Sequence, residues 1–279
     1  CGYPPLDLLE QRDFIETCLH TAQKIAQECI NIAAIVGCPT LNEGEKGKRL
    51  FNSALFLHNG IITQTVHKTL LPTYDIFDEY RYFEPNTEFS IIEYKNTKIA
   101  LTICEDLWDN QVVETAFAKD KIYKTSPLEK LHCQAPDIVI NIAASPFSYN
   151  QDYLRTKVLQ DNARLYQVPI LYVNQIGANT EIIFDGCSKI VNPNGEVVYE
   201  MAEFDEDYCV LNSEQWNMPA TQKTESYHKI QKIHDALLLG IRDYFKKNNF
   251  KSAVLGLSGG IDSAVVLALA AKAIGAENI

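Results

Sequence analysis

The chain has 279 residues, a formal net charge of −11, a pI near 5.0 and 46% hydrophobic residues. That length suffices for one large domain or one and a half ordinary ones, and the negative field works against a protein that coats a polyanion, so no nucleic-acid partner is expected. No apolar run has membrane-spanning length and no signal-like segment opens the chain, so a soluble, cytoplasmic protein with no membrane partner is expected.

The chain opens at Cys1-Gly2-Tyr3-Pro4-Pro5 without an initiator methionine and stops at Ile279 directly after a helix-like segment, so an internal piece of a longer protein is expected. From Glu10 to Ile30, apolar residues such as Phe14, Ile15, Cys18, Leu19, Ala22 and Ala26 recur at helical spacing. Asn31 to Gly37 reads as a buried strand, and Ser53–Leu57 and Ile61–Val66 flank the hairpin signal Asn59-Gly60. Phe89–Tyr94 and Lys98–Ile103 flank a second polar turn, and Asp137–Ala143 reads as another buried strand. Asp152–Tyr166 reads as a helix, Pro169–Asn174 as a strand, and Ser188–Val191 with Glu196–Tyr199 as a hairpin around Asn194-Gly195. Hairpins mixed with strand-helix alternation suggest an α/β protein: two mixed sheets face to face with helices outside, a four-layer α-β-β-α sandwich.

Composition changes near Asn212. Residues 212–227 are polar, contain Pro219 and lack periodicity, as a linker does. His228–Lys247 is helical again; Ala253–Leu257 reads as a strand, Ser258-Gly259-Gly260 as a tight turn and Ile261–Ala273 as an apolar helix. The expected division is 1–211, a linker 212–227, and 228–279 as the start of a second α/β domain.

The chemistry centres on Ile99–Trp108, IALTICEDLW. A strand that breaks at Cys104-Glu105-Asp106 sets a thiol at the carboxyl edge of a sheet, where α/β enzymes hold reacting groups; a buried structural cysteine is the other reading. The adjacent carboxylates raise a thiol's pKa, so a nucleophile here needs a cation. Lys68, between a strand and Leu70-Leu71-Pro72, can supply it; a solvated surface charge is its other reading. The other cysteines of the eight show no CxxC pair and no zinc-spaced histidines, so they read as reduced thiols, with Cys18, Cys29 and Cys38 packed or inert.

Lys68 with Leu71-Pro72-Thr73-Tyr74 and Phe77-Asp78-Glu79, the ICEDLW around Cys104, and NIAASPF at Asn141–Phe147 resemble the glutamine amidase domain of the glutamine-dependent NAD+ synthetases, a branch of the nitrilase superfamily. The resemblance implies that Cys104 is the nucleophile and Lys68 holds the oxyanion. The general-base glutamate is expected just upstream of Cys1. Tyr74, Phe77, Glu105 and Ser145 are implied around the bound glutamine. The position where some relatives carry a basic residue is Gln151, with Arg155 one turn on as a substitute. Asn174 and Glu181, in the run 173–186, border the pocket on this reading or belong to a sheet-edge loop on the bland one.

Leu255–Val266, LGLSGGIDSAVV, has glycines where backbone N–H groups must approach an anion ahead of a helix. The string SGGxDS resembles the pyrophosphate loop of ATP pyrophosphatases, which implies ATP binding by Ser258, Gly259, Gly260, Asp262 and Ser263, with Asp262 as an Mg2+ candidate. The implied second fold is a Rossmann-like adenine nucleotide α-hydrolase domain, and no tightly bound organic cofactor is expected. Together the two motifs imply conversion of nicotinic acid adenine dinucleotide (deamido-NAD+), ATP and glutamine to NAD+, AMP, pyrophosphate and glutamate. A homo-oligomer is expected, although no stretch encodes a recognisable symmetric interface. A stand-alone carbon-nitrogen hydrolase acting on a small amide, or a non-catalytic assembly fragment, are the alternatives.

Overall fold

The computed structural model describes residues 2–110, 122–179, 181–219 and 229–279. Cys1, Thr180 and the linker residues 220–227 therefore lie outside the described residues. The elements are α1 (Arg12–Glu28), β1 (Ala34–Leu41), β2 (Leu50–His58), β3 (Ile61–His67), α2 (Glu79–Tyr82), β4 (Ile92–Tyr94), β5 (Thr97–Ile103), α3 (Pro127–His132), β6 (Ile138–Ala143), α4 (Gln151–Tyr166), β7 (Ile170–Asn174), β8 (Ile176–Asn179), β9 (Ile182–Asp185), β10 (Lys189–Val191), β11 (Val197–Glu200), α5 (Lys229–Lys247) and α6 (Ile261–Ile274).

Three strands, β1-β2-β3, form an antiparallel sheet, and six form a mixed sheet in the order β11-β10-β7-β6-β5-β4. Alternation along the strands builds the layers. From β5, Ile99, Leu101 and Ile103 meet Ala54 and Phe56 of β2 between the two sheets, while Ala100 faces the other way, onto Val158, Leu159 and Ala163 of α4 and Leu128 and Leu131 of α3. From β2, Leu55 and Leu57 face Ala22 and Ala26 of α1. The result is the expected sandwich: α1, the three-stranded sheet, the six-stranded sheet, then α3 and α4. In the first two of the three predicted hairpins both turn residues are left-handed, Asn59 at φ 52° with Gly60 at 82°, and Lys95 at 47° with Asn96 at 63°, which matches the strand twist.

Four readings are corrected. The first sheet is wholly antiparallel, because its three strands follow one another through turns too short for a parallel crossover. β1 begins three residues later and ends four later than Asn31–Gly37; it tolerates Pro39 because it pairs on one side only, with β2. The run 173–186, whose bland reading was a loop, contains the β8–β9 hairpin. Ala253–Leu257 is not a strand, since no strand lies beside it among the described residues; Ala253 N–H instead donates to Asn278 O at 2.8 Å.

α5 packs Ala236 and Leu239 against Phe147, Ile176, Ile183 and Phe204, and its Asp243 accepts from Ala178 N–H at 2.7 Å. Residues 201–219 carry one 3-10 turn, Gln215–Asn217. Among the described residues no helix is long and apolar enough to cross a membrane.

Candidate active site

β5 delivers Cys104 at its carboxyl end, where the chain turns at once into a 3-10 turn, Cys104–Leu107, and Cys104 takes a left-handed φ of 45°. Such a conformation in a residue with a side chain costs on the order of 1–3 kcal/mol and persists only where surroundings enforce it. Asn141 of the parallel neighbour β6 donates from Nδ2 to Cys104 O at 3.3 Å and to Thr102 Oγ1 at 2.9 Å, which holds the elbow from beside.

Lys68 follows β3 and is only 1% exposed. Its Nζ donates to both carboxylate oxygens of Glu79, at 2.8 and 2.7 Å. Glu79 opens α2 and also accepts from Tyr3 Oη at 2.6 Å and from Asn52 Nδ2 at 3.4 Å. Burial opposes the Lys68 ammonium, but the charges of Glu79 and of the Cys104 thiolate outweigh it and raise its pKa. Burial pushes the Cys104 thiol up to about 11; Lys68 and the Ala144 N–H pull it down, and the carboxylates of Glu105 and Glu79 push it further up. Lys68 and Cys104 thus line one cavity and act on each other's charge. Neither Glu79 nor Tyr3 has a role in the sequence reading; the signal for Glu79 is a carboxylate one helical turn before Phe83 in a segment otherwise rich in aromatics.

Cys104 stands between two cavities. The first, about 340 Å3, is lined by Lys68, Glu79, Asn52, Ser53, Tyr3 and Asn174 among others. The second, about 350 Å3, is lined by Tyr74, Phe77, Glu105, Ser145, Gln151 and Glu181 together with Ile182 and Ile183 of β9. All four residues expected around glutamine therefore meet at one cavity. Tyr74 and Tyr123 both donate through their hydroxyls to Glu105 Oε1, at 2.6 and 2.9 Å. Burial raises the Glu105 pKa, with those hydroxyls and Lys68 working in the opposite direction. Tyr74 sets its ring edge-on to Phe77, 5.7 Å between centroids. The Ser145 backbone N–H donates to Asn174 Oδ1 at 2.9 Å, and Asn174 Nδ2 donates to Gly186 O at 2.8 Å, so β7 fixes the loop that carries Ser145. Asn174 and Glu181 thus both border cavities.

Arg155 does not substitute for a basic residue at Gln151. It is 1% exposed and binds Asp185 through two bonds, Nη1 to Oδ1 at 2.9 Å and Nη2 to Oδ2 at 2.6 Å, beneath the pocket rather than in it. Nearby, Asp152, Cys187 and Glu203 bring three ligand-type atoms within 4.8 Å of one another, but Lys189 Nζ lies 3.1 Å from Asp152 and Lys232 Nζ 2.5 Å from Glu203, so ammonium groups already neutralise the cluster.

The second motif forms an exposed turn. Ser258 Oγ and Ser263 Oγ lie 3.0 Å apart, Ser263 Oγ donates to Gly260 O at 3.0 Å, Gly259 sits at φ 83°, and α6 begins at Ile261 with Asp262 in its first turn. The pattern leaves backbone N–H groups of 259–261 at a helix start, a geometry suited to an anion. The exposed Asp262 carboxylate and two serine hydroxyls beside it are oxygen donors of the kind Mg2+ accepts alongside phosphate oxygens.

The carbon-nitrogen hydrolase model matches residues 16–214, and the NAD synthase model matches residues 233–279. The glutamine-dependent NAD(+) synthetase of Synechocystis sp. is 42% identical over 100% of this chain and 50% of its own length, and that of Acinetobacter baylyi 32% identical over 100% and 48%. The solved structure of glutamine-dependent NAD+ synthetase from Acinetobacter baumannii in complex with ADP superposes with a TM-score of 0.85 at 30% identity, covering 99% of this chain and 49% of that one. An amidase of the nitrilase superfamily from Nesterenkonia superposes over 72% of this chain and 69% of its own with a TM-score of 0.57 at 17% identity, a likeness of fold. The chain spans about half the length of the curated relatives it matches. With the elbow cysteine, its lysine and the sandwich that holds them inside the matched residues 16–214, the chain belongs to the carbon-nitrogen hydrolase family.

Proposed function

We propose that this chain is the glutamine-hydrolysing part, and the opening of the ATP-using part, of a glutamine-dependent NAD+ synthetase. The observation that carries the reading is the placement of Cys104 between a cavity holding Lys68 and a cavity lined by Tyr74, Phe77, Glu105 and Ser145. Residues 1–211 form the amidase domain, 212–227 the linker, and 228–279 the start of the ATP-binding domain. The matched NAD synthase residues 233–279 support this over a stand-alone amidase.

Glutamine enters the second cavity with its α-amino group on Glu105 and its polar end near Ser145. Cys104 Sγ attacks the side-chain carboxamide carbon; the S–C bond forms as the thiol proton passes to a general base, and Lys68 Nζ stabilises the oxyanion. The base returns the proton to the departing nitrogen, ammonia leaves, and water cleaves the thioester to glutamate. Glu79 is not that base, since both its oxygens are engaged by Lys68 and one also by Tyr3. The glutamate expected just before Cys1 suits the role, because Gly2 and Tyr3 line the cavity of Cys104 and Lys68; loss of such help costs about 10²–10⁴-fold.

In the second domain, backbone groups of 258–261 with Ser258, Gly259, Gly260, Asp262 and Ser263 hold ATP's phosphates. Mg2+, with Asp262 as its ligand from this chain, would supply charge neutralisation there. The nicotinate carboxylate of deamido-NAD+ displaces pyrophosphate from ATP, and ammonia displaces AMP from the resulting adenylate. The enzyme is a cytoplasmic homo-oligomer on this reading.

Cys104→Ala in the full-length enzyme tests it, with NAD+ formation measured separately from glutamine and from ammonium chloride. Glutamine-supported synthesis is expected to vanish while ammonia-supported synthesis persists. Retained use of glutamine would sink the assignment.

A further inference from the structure

Lys68 and Cys104 stand at the ends of strands from different sheets: β3 belongs to the three-stranded sheet and β5 to the six-stranded one. No backbone ladder joins those two strand ends, so their spacing depends on what bridges the sandwich. Asp106 is such a bridge. Its Oδ1 accepts from Thr69 N–H at 3.0 Å and Leu70 N–H at 2.9 Å, the two residues directly after Lys68. Its Oδ2 accepts from Ile103 N–H at 3.0 Å, the residue directly before Cys104. The side chain is 2% exposed and lines neither cavity of Cys104; it borders a separate cavity of about 410 Å3 on the other side.

Three N–H donors converge on one group, and a carboxylate suits them because it is acceptor-only on both oxygens. An amide would turn an NH2 toward one of them. The same bond to Ile103 N–H secures the residue before the left-handed Cys104, whose φ of 45° needs outside support. Burial pushes the Asp106 carboxyl up to about 6, while the three N–H groups and Lys68 favour its charged form.

We propose that Asp106 is a positioning residue: its carboxylate ties the Lys68 segment to the Cys104 elbow across the two sheets and so sets the lysine–thiol geometry on which attack depends. The role rests on the reading of Lys68 and Cys104 as the oxyanion holder and nucleophile. It predicts that loosening Asp106 changes the chemistry of Cys104 more than the filling of the glutamine pocket, because the Asp106 side chain does not line that pocket.

The test compares full-length wild type with Asp106→Asn, which keeps one acceptor oxygen, and Asp106→Ala, which keeps none. The alkylation rate of Cys104 by iodoacetamide is followed across a pH series by site-resolved mass spectrometry. Glutaminase kcat and KM, ammonia-supported NAD+ formation and thermal unfolding are measured alongside. In Asp106→Asn the Cys104 alkylation profile is expected to move to higher pH as the thiol loses Lys68. Glutaminase kcat should fall on the order of 10²-fold, the scale for a displacement of about 1 Å, with KM for glutamine and ammonia-supported turnover close to wild type. Asp106→Ala should be worse in kcat; if it does not fold, Asp106→Asn alone decides. A wild-type alkylation profile and kcat in Asp106→Asn would overturn the proposal. So would parallel loss of kcat, KM and ammonia-supported turnover, or failure of Asp106→Asn to fold, each of which reduces Asp106 to a stability element. If Cys104→Ala still used glutamine, the glutaminase reading would fail, while the alkylation profile would still report on the Asp106 bridge.

Discussion

Glu79 and Lys68 form a buried pair at 5% and 1% side-chain exposure, and a three-variant cycle of Glu79→Gln, Lys68→Met and the double variant measures what it is worth. Each single change leaves one charge in the core without its counterion, which costs about 3–5 kcal/mol. In a domain of about 200 residues that lowers Tm by roughly 6–20 °C, at about 2–4 °C per kcal/mol. The double variant removes both charges together and should cost far less than the two singles combined. The sign with pH follows from the raised Lys68 pKa. The pair's stabilisation is fully present below the ordinary lysine pKa, about 10.4, and is lost as pH rises through the folded value, so melts near neutral pH record all of it. The same variants split on Cys104: Lys68 lowers its pKa and Glu79 raises it. Alkylation of Cys104 should therefore shift to higher pH in Lys68→Met and to lower pH in Glu79→Gln as long as the lysine stays charged. Additive melts with each single within about 0.5 kcal/mol of wild type, the behaviour of a surface pair, would refute the reasoning.

Glu105→Gln removes the charge proposed to meet the substrate amine while keeping an acceptor for Tyr74 and Tyr123. A hydrogen bond to a charged group contributes about 1.5–3 kcal/mol, so KM for glutamine should rise roughly 10- to 150-fold with a smaller change in kcat, and an unchanged KM counts against the pocket. Arg155→Ala should cost about 3–5 kcal/mol in unfolding because it strands the buried Asp185, yet leave KM for glutamine alone in whatever protein remains folded; a selective KM effect would return Arg155 to the substrate. Asp152 is held down to about 2: burial opposes its charge, and Lys189, Arg155 and Lys232 more than offset that. A depressed carboxyl stabilises above its ordinary pKa and loses that contribution as pH falls through the folded value, so about 2 kcal/mol should disappear between roughly pH 4 and pH 2. Acid titration of Asp152→Asn beside wild type checks this, and identical acid limbs would exclude it.

Most of the sandwich was legible because its strands announce themselves by period and turn. Ile99, Leu101 and Ile103 alternate with Ala100 and Thr102, and Asn59-Gly60 can hardly be anything but a hairpin turn. What stayed hidden was pairing that depends on distant partners. Ile176–Asn179 and Ile182–Asp185 are short and broken by glycine and polar residues, and they become strands through each other and through α5. Leu255 and its neighbours look like a strand by composition yet have no partner strand among the described residues. At the site, the residue types near Cys104 and Lys68 were readable from resemblance, but Arg155 was not, because sequence spacing shows that a cation is near the pocket and not that Asp185 already holds it.

The same blindness conceals why the site is built from so many charges. Burial and the carboxylates of Glu105 and Glu79 push the Cys104 thiol upward while Lys68 and the Ala144 N–H oppose them. On the proposed reading, attack therefore calls for a base that takes the thiol proton as the bond to carbon forms. Lys68 cannot serve, because its raised pKa keeps it an ammonium. Glu79 cannot serve either, because spending it on the proton would strand that ammonium in the core. Glu79 therefore holds the Lys68 ammonium in place and keeps it protonated, which on the proposed reading suits it to meet an oxyanion. On the proposed reading the base is therefore a further group, because the two carboxylates next to Cys104 are already engaged, Glu105 by the Tyr74 and Tyr123 hydroxyls and Asp106 by three backbone N–H groups.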